Sequence, residues 1–546
     1  MPLKPPPAIA STLLTLFAWL LLAVAPASAA ELPAWPQANG PFGNFNPRQS
    51  GVKLVDDLAQ ARPLWVSEFS DLGFAKGSSS GYVQHLADAA THPGTASGLI
   101  VAEGKVFASS FRPRGEVWPE KLPHFQSDKV QALFNDPKKA AAIRRNAALD
   151  ADDLTVAIDL QTGKTVWTAV EAGKGFNRYS GKRLQFHGTP VYFDGRVFSL
   201  GTLGSVYCYD AATGKKLWEE SQSALVKSAT ALKEKLLQTR NDLPDGGGMG
   251  ASPVVAGGVL ITPEFDTPHP DISLRGLEVA TGKTLWTVPA CTSRFATPAV
   301  WTHGGRQYVL VATVKGALRL IEPQTGKVRW TVAGLEPVYY PLAPSATHVC
   351  VNVKSATDTA KKAGQSWGRI AAFKLSPDQA EQAWAAPDKP EYWFENHMDI
   401  CAMRRVLIRD GRVFYFTQGR TLDPAKSSSF LSIFQEDTGA VLYTSKPGEF
   451  GHATVEQPQN SILGQFWLVE DRILNIPDAA HSDRSTMQWL TTDPQAIRRL
   501  GARWKPPHQN TTAYEVFIEL PYVDGRFLMR TWQGQVVCYD LRAAGK

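Results

Sequence analysis

One phrase returns along the chain and limits what it can fold into. Thr162-Gly163-Lys164 leads to Trp167, Thr213-Gly214-Lys215 to Trp218, Thr281-Gly282-Lys283 to Trp286 and Thr325-Gly326-Lys327 to Trp330. Before each copy stands an alternating run such as LTVAIDLQ or GSVYCYDAA. Period-two alternation rich in Val, Leu, Ile and Tyr is strand chemistry. The Thr-Gly pair is turn chemistry, because glycine takes the positive φ that a tight hairpin needs. Further upstream lies a second phrase, TPVYFDGRVFSL, in which two apolar runs flank Asp194-Gly195, and it recurs from Ser252 and from Thr297. One unit therefore reads strand, tight turn, strand, loop, strand, Thr-Gly turn, strand. A four-stranded antiparallel unit of this size, repeated in tandem, is the pattern of a propeller blade, because one such sheet cannot bury both of its faces alone.

The closing aromatics count the blades. They are Trp65, Trp167, Trp218, Trp286, Trp330, Trp384, Tyr443 and Trp504. The later units are worn: Asp437-Thr438-Gly439 survives before Tyr443, whereas the unit ending at Trp504 has lost its Thr-Gly. The C-terminal stretch YVDGRFLMRTWQGQVVCYDL offers three strands without a fourth, and Pro63-Leu64-Trp65-Val66 offers a fourth without the other three. Joining them in one blade closes the ring and removes two sheet edges. The expectation is an all-β, eight-bladed propeller of four-stranded blades over residues 63–542, preceded by an N-terminal extension over 31–62. Seven blades is the alternative if one worn unit is not a blade.

The stretches from Asp159 to Trp167 and from Asp210 to Trp218 resemble the tryptophan-docking motif of pyrroloquinoline-quinone dehydrogenases and their relatives. The opening Trp35-Pro36-Gln37 with Gly40-Pro41 and Asn44 is similar to the start of quinoprotein-like bacterial propellers. The resemblance spans roughly residues 35–542 and is specific for the fold; a fold does not fix an activity. It implies two roles: an exported interaction platform in envelope assembly, or a dehydrogenase holding the quinone with calcium. In the enzymes a tryptophan and a ring of two adjacent cysteines sandwich the quinone. This chain has no adjacent cysteine pair and no CxxCH haem motif.

Residues 1–30 read as a secretory leader: Lys4, an apolar run from Thr12 to Ala25, then Ala27-Ser28-Ala29. No cysteine near that site signals lipid attachment, and no later segment is long and apolar enough to span a membrane. The expected location is the periplasm or the exterior. With 57 Lys+Arg against 51 Asp+Glu the net charge is +6, too weak and too evenly spread for nucleic-acid binding. The basic run Lys138 to Arg145 reads as the wet face of a surface helix, capped by Asp136-Pro137. A second helix is expected over Ser223 to Gln238. Cys208 and Cys538 hold equivalent places in VYCYD and VVCYD and read as small core residues. Cys291, Cys350 and Cys401 are isolated, and a disulfide among them is not required.

Blade geometry sorts the loops by face. The turn after each first strand and the Thr-Gly turn share one face; the loop after each second strand and the blade-to-blade return share the other. The long insertions (112–152, 263–274, 354–367, 418–428 and 478–486, with the return 219–249) all fall in the second set, which marks that face as the functional one. Residues just before the first strands ring the channel mouth there: Gln185, His187, Met249, Arg294, Tyr340, His397 and Asn510, with Tyr339 and Gln459. The set is mixed polar and aromatic, which suits a small ligand or a peptide. Glycan chemistry needs paired carboxylates, and the best local clusters are Glu395, His397 and Asp399, and His481 with Asp483. No catalytic residue is assigned, no cofactor is expected, and the metal content is open; pyrroloquinoline quinone with calcium is the alternative. The reading is a monomeric, non-enzymatic binding or scaffold propeller with a partner in the cell envelope or a small ligand.

Overall fold

A computed structural model describes the chain apart from residues 2–33, 74–86, 88–89, 91, 96, 116–125, 178–187, 222–249, 265–270, 294–295, 339, 354–364, 368, 387–391, 396–405, 422–426, 447–448, 451–464, 477–485, 509–519, 532 and 544–546. Eight antiparallel sheets follow one another around a ring. Blade 1 is Leu99–Ala102, Lys105–Arg114, Asp150–Asp159 and Thr165–Phe176. Blades 2, 3 and 4 close with Lys216–Glu220, Thr284–Ser293 and Val328–Val332. Blade 5 closes with Ala380–Ala386, blade 6 with Val441–Thr444 and blade 7 with Arg499–Trp504. Blade 8 joins the two ends of the described ring: Tyr522–Val523, Arg526–Arg530 and Val536–Asp540 are completed by Arg62–Val66, with Arg62 opposite Asp540 and Trp65 opposite Cys538. The ring therefore has eight blades and is closed by strands from both ends of the sequence, as the strand count requires.

First strands are buried throughout in blades 1 and 3, while fourth strands alternate exposed and half-buried residues. That contrast places the first strand at the hub and the fourth at the rim. The tight turns follow their expected chemistry. Asp194-Gly195, Asp410-Gly411 and Asp524-Gly525 all take positive φ at both central residues, the conformation that matches hairpin twist.

Tryptophan locks blade to blade. The Trp167 indole N–H donates to the Ala211 carbonyl of blade 2 (3.1 Å), and Trp65, Trp218, Trp286, Trp330 and Trp384 make the equivalent bond to Leu160, Val279, Pro323, Ser376 and Glu436. Each indole except Trp330 also lies on the glycine of the next Thr-Gly turn. A Cβ at Gly214 would sit 2.5 Å from the Trp167 ring, and the same holds at Gly163, Gly282, Gly326 and Gly439 for the preceding tryptophan. The glycine is thus fixed twice, by its positive φ and by the ring above it. The acid that opens the phrase completes the turn: Asp159 accepts from the backbone N–H (2.8 Å) and hydroxyl (2.7 Å) of Thr162, and Asp210 treats Thr213 alike. Trp504 meets Tyr539 edge-on at 5.0 Å instead.

Two blades depart from the four-stranded expectation. In blade 5, three strands are formed among the described residues: His348–Asn352, Ile370–Leu375 and Ala380–Ala386. The place of its first strand is taken by buried residues around Leu342 and Ala343, flanked by Pro341 and Pro344. Proline has no N–H to give a ladder, so the stretch packs without pairing. In blade 6, Tyr392–Glu395 pairs the far end of Arg412–Thr421, and Gln365–Trp367 pairs Tyr392–Glu395 in turn, so the sheet grows beyond the ring on the long-loop side.

Candidate functional site

The two ends of the central shaft are unlike. On the tight-turn side the N-terminal segment runs across the hub. Trp35 exchanges both backbone hydrogen bonds with Val101 of blade 1 (2.7 and 2.9 Å), and the Pro36 carbonyl accepts from Tyr192 of blade 2. The Asn39 amide donates to the Pro298 carbonyl at the start of blade 4, and the Asn46 amide to the Ile408 carbonyl of blade 6. Ser50 and Gly51 donate to Glu470 of blade 7. Val55 and Lys53 pair with Leu541 and Ala543 before the chain enters blade 8. Trp35, Ala38, Asn39 and Phe45 are fully buried. This segment enters the hub from the tight-turn side, and Asn39 reaches as far as the Pro298 carbonyl.

That opposite face carries the elaborations. The second and third strands of blade 1 run for ten residues each, against five each in blade 2, and so rise above their neighbours; blade 6 does the same with Arg412–Thr421 and Ser427–Gln435. Between the tall strands of blade 1 stand two short helices, Asp128–Gln131 and Pro137–Asn146. Asp136 caps the longer helix through Lys138 and Lys139 (2.9 and 3.3 Å), with Pro137 at its first position. Ala140, Ala142 and Ile143 face inward, and Lys138, Lys139, Arg144 and Arg145 face solvent, as the sequence pattern implies. The helix expected over Ser223 to Gln238 lies outside the described residues.

The same face is held by buried polar groups. Arg530, fully buried, donates to the Ser97 (2.8 Å) and Leu72 (2.9 Å) carbonyls and pins the return from blade 8 to blade 1. Beside it Asp71 receives His92 at 2.6 Å and Arg112 at 2.9 Å, and Arg112 and Arg114 both reach Asp152. Asp153 is buried between blades 1 and 2 and accepts from the Thr202 N–H (3.0 Å) and hydroxyl (2.7 Å) and from the Tyr207 hydroxyl (3.0 Å). Gly175 and Gly201 make room for it; a Cβ at either would come within 2.8 and 2.5 Å of its oxygens. Burial pushes the Asp153 carboxyl up to about 6, against the hydrogen bonds that favour its charge.

A carboxyl whose pKa is raised on folding contributes stability below its unfolded pKa, and the contribution is lost as pH rises through about 6. Wild type should therefore lose roughly 2 kcal/mol relative to Asp153→Asn between pH 4 and pH 7. Urea unfolding of both proteins across that range checks it; a difference independent of pH would show that Asp153 ionises freely in the fold.

Of the expected mouth residues, Tyr340 is described. It is buried, and its hydroxyl accepts from the Asn352 N–H at 3.0 Å. Gln185, His187, Met249, Arg294, His397 and Asn510 lie outside the described residues, as do Tyr339, Gln459, Asp399, His481 and Asp483. What sequence reasoning missed on this face are Asp153 and Arg530. Asp152-Asp153 directly before the apolar run of the strand was the available signal, since a buried charge needs partners.

The fold family implies pyrroloquinoline quinone, and the chemistry of the residues does not fit its cysteine ring. Cys208, Cys291, Cys350 and Cys538 are buried, unpaired and spread over blades 2, 3, 5 and 8. Burial pushes the Cys208 and Cys538 thiols up to about 12, the behaviour of core residues.

Eight sheets in a ring, six of them locked to the next by an indole bond, define a propeller of the quinoprotein-like class. The chain belongs to the pyrroloquinoline-quinone-like β-propeller repeat family: the family described as outer membrane protein assembly factor BamB matches residues 151–337 and 270–422. Among solved structures, BamB from Moraxella catarrhalis is 11% identical over 72% of this chain and 94% of its own, with a TM-score of 0.43. Quinohemoprotein alcohol dehydrogenase from Comamonas testosteroni is 13% identical over 95% of this chain and 82% of its own, with a TM-score of 0.42. No curated protein matches the sequence.

Proposed function

We propose that this protein is an exported, non-enzymatic scaffold of the cell envelope that engages a protein partner through its long-loop face. The observation that carries the reading is the asymmetry of the ring. One end of the hub is occupied by residues 35–46, while the tall hairpins of blades 1 and 6 and the helical insertion stand on the other. Loops positioned on a rigid scaffold are where binding residues concentrate. The description of the matching family, an assembly factor for outer membrane proteins, supports a partner in the envelope and a periplasmic location. Among the described residues no helix is long and apolar enough to cross a membrane.

Photo-crosslinking in cells tests the reading. A crosslinker at Lys138, on the insertion helix, should trap one defined envelope protein, and the same group at Lys164, on a Thr-Gly turn, should not. Equal trapping from both faces, or none from Lys138 and its neighbours, would remove the proposal. Titration of the purified protein with pyrroloquinoline quinone and calcium decides the enzymatic alternative. Saturable, calcium-dependent binding at micromolar concentration would overturn the scaffold reading.

A further inference from the structure

We propose that the tight-turn face carries a second binding site, a cavity of about 370 Å³ between the N-terminal segment and blades 4 and 5, and that it takes an extended, proline-containing peptide. The site lies on the opposite face from the one assigned to the partner above and does not depend on that assignment.

The cavity is composite. Gln37, Pro41, Phe42 and Asn44 come from the segment that crosses the hub; Thr302 and Gln307 flank the tight turn of blade 4, and Pro344 ends the unpaired stretch in the first-strand place of blade 5. Its volume lies at the lower end of the ~300–1,000 Å³ typical of small-ligand pockets. The backbone holds its lip in place. Gly43, at φ +69°, packs so closely on Val300 that a Cβ there would sit 2.6 Å from the Val300 carbonyl oxygen. Phe42, next to it, is 54% exposed. A single exposed aromatic is ordinary, but this one stands at the lip of a cavity and on a rigid turn.

The lining selects the ligand. It contains no acid and no base, so it has nothing with which to hold an ion. The Asn44 side-chain oxygen is already taken by the Asn46 N–H (3.1 Å), and the Gln307 oxygen by the Gly257 N–H (2.8 Å). Both amides therefore have their –NH₂ ends to offer. Thr302 adds a hydroxyl, and Gln37, whose –NH₂ bonds the Gly40 carbonyl, adds an amide oxygen. The cavity thus presents mainly donors beside Phe42, Pro41 and Pro344. A proline-containing strand is the complement: its carbonyls accept, its prolines bring no N–H to satisfy, and its polyproline II form is preset before binding. Recognition of such segments uses aromatic-lined grooves in this way.

Calorimetric titration of the purified full chain with a synthetic decaproline peptide is the test. A glycine-serine peptide of equal length and maltotriose serve as the other probes. Saturable binding of decaproline alone is expected, weakened about tenfold or more by Phe42→Ala and a few-fold by Thr302→Val. Both side chains lie at the surface of the fold, so both variants should keep the wild-type unfolding midpoint, which is measured alongside. Lack of saturable binding at about 1 mM, binding unchanged in Phe42→Ala, or a preference for maltotriose would each overturn the proposal. Crosslinking from Lys138 is unaffected by either variant, so failure of this site and failure of the scaffold reading are told apart.

Discussion

Replacing Trp167 with alanine should lower the unfolding free energy by about 3–5 kcal/mol, the range for removing a large buried aromatic. The indole is nearly buried, packs within 5.8 Å of Phe107 and 6.1 Å of Tyr209, and covers Gly214 of the next blade. Its N–H bond to Ala211 is one of the bonds that tie blade 1 to blade 2, beside those Asp153 accepts from Thr202 and Tyr207. Alanine removes the packing and leaves that carbonyl without its donor. Trp167→Phe separates the two losses: it keeps most of the ring over Gly214 and gives up the bond, for about 1–2 kcal/mol. Gly214→Ala approaches the same contact from the other side, because its Cβ enters the ring and its φ of +71° suits no other side chain well. Urea denaturation of the three variants checks the order. A Trp167→Ala cost below 1 kcal/mol would mean that the repeated tryptophan is incidental to how the ring holds.

Trp35→Ala should cost a comparable 3–5 kcal/mol, for a different reason. Trp35 belongs to no blade. It is fully buried in the cluster that joins inner-strand residues of blades 1, 4, 7 and 8, among them Val101, Trp301, Trp467 and Tyr522. Its ring lies close to Gly40, where a Cβ would come within 3.2 Å. The indole nitrogen has no hydrogen-bond partner among the described residues. Trp35→Phe thus removes a buried, unsatisfied donor along with some area and should cost about 1 kcal/mol or less, in contrast to the same exchange at Trp167. Hydrogen exchange at the Val101 amide, which donates to the Trp35 carbonyl at 2.9 Å, should speed up in Trp35→Ala and stay near wild type in Trp35→Phe. If truncation left both stability and Val101 protection unchanged, the segment would be a passenger and the tight-turn end of the hub would not be sealed by it.

The two experiments probe two kinds of information. The phrase around Trp167 was readable because its physics is local. Glycine at a positive φ, an acid three residues before a threonine, and an alternating apolar run each leave their mark within a dozen residues, and tandem repetition multiplied the signal. Ring closure was readable for the same reason, since three strands at one end and one at the other leave two edges that only each other can satisfy. The worn units were harder. Tyr443 kept its place by its turn; the prolines of Pro341-Leu342-Ala343-Pro344 argue against a paired strand, but nothing in the stretch shows that it still fills the place of one.

The sequence by itself determined the propeller, the blade that holds both ends and the side on which insertions accumulate; it left seven blades beside eight, and the structure has eight. Tertiary structure alone decided the rest. The bond from Asn46 to Ile408 joins residues 362 apart, and no periodicity records such a pairing. The burial of Asp153, the pin made by Arg530 and the cavity beside Phe42 are likewise set by which blades come to stand side by side. Short-range order is written in spacing because it costs few residues their freedom; contacts across the hub exist only after the ring has closed and paid the loop-closure entropy that brings them together.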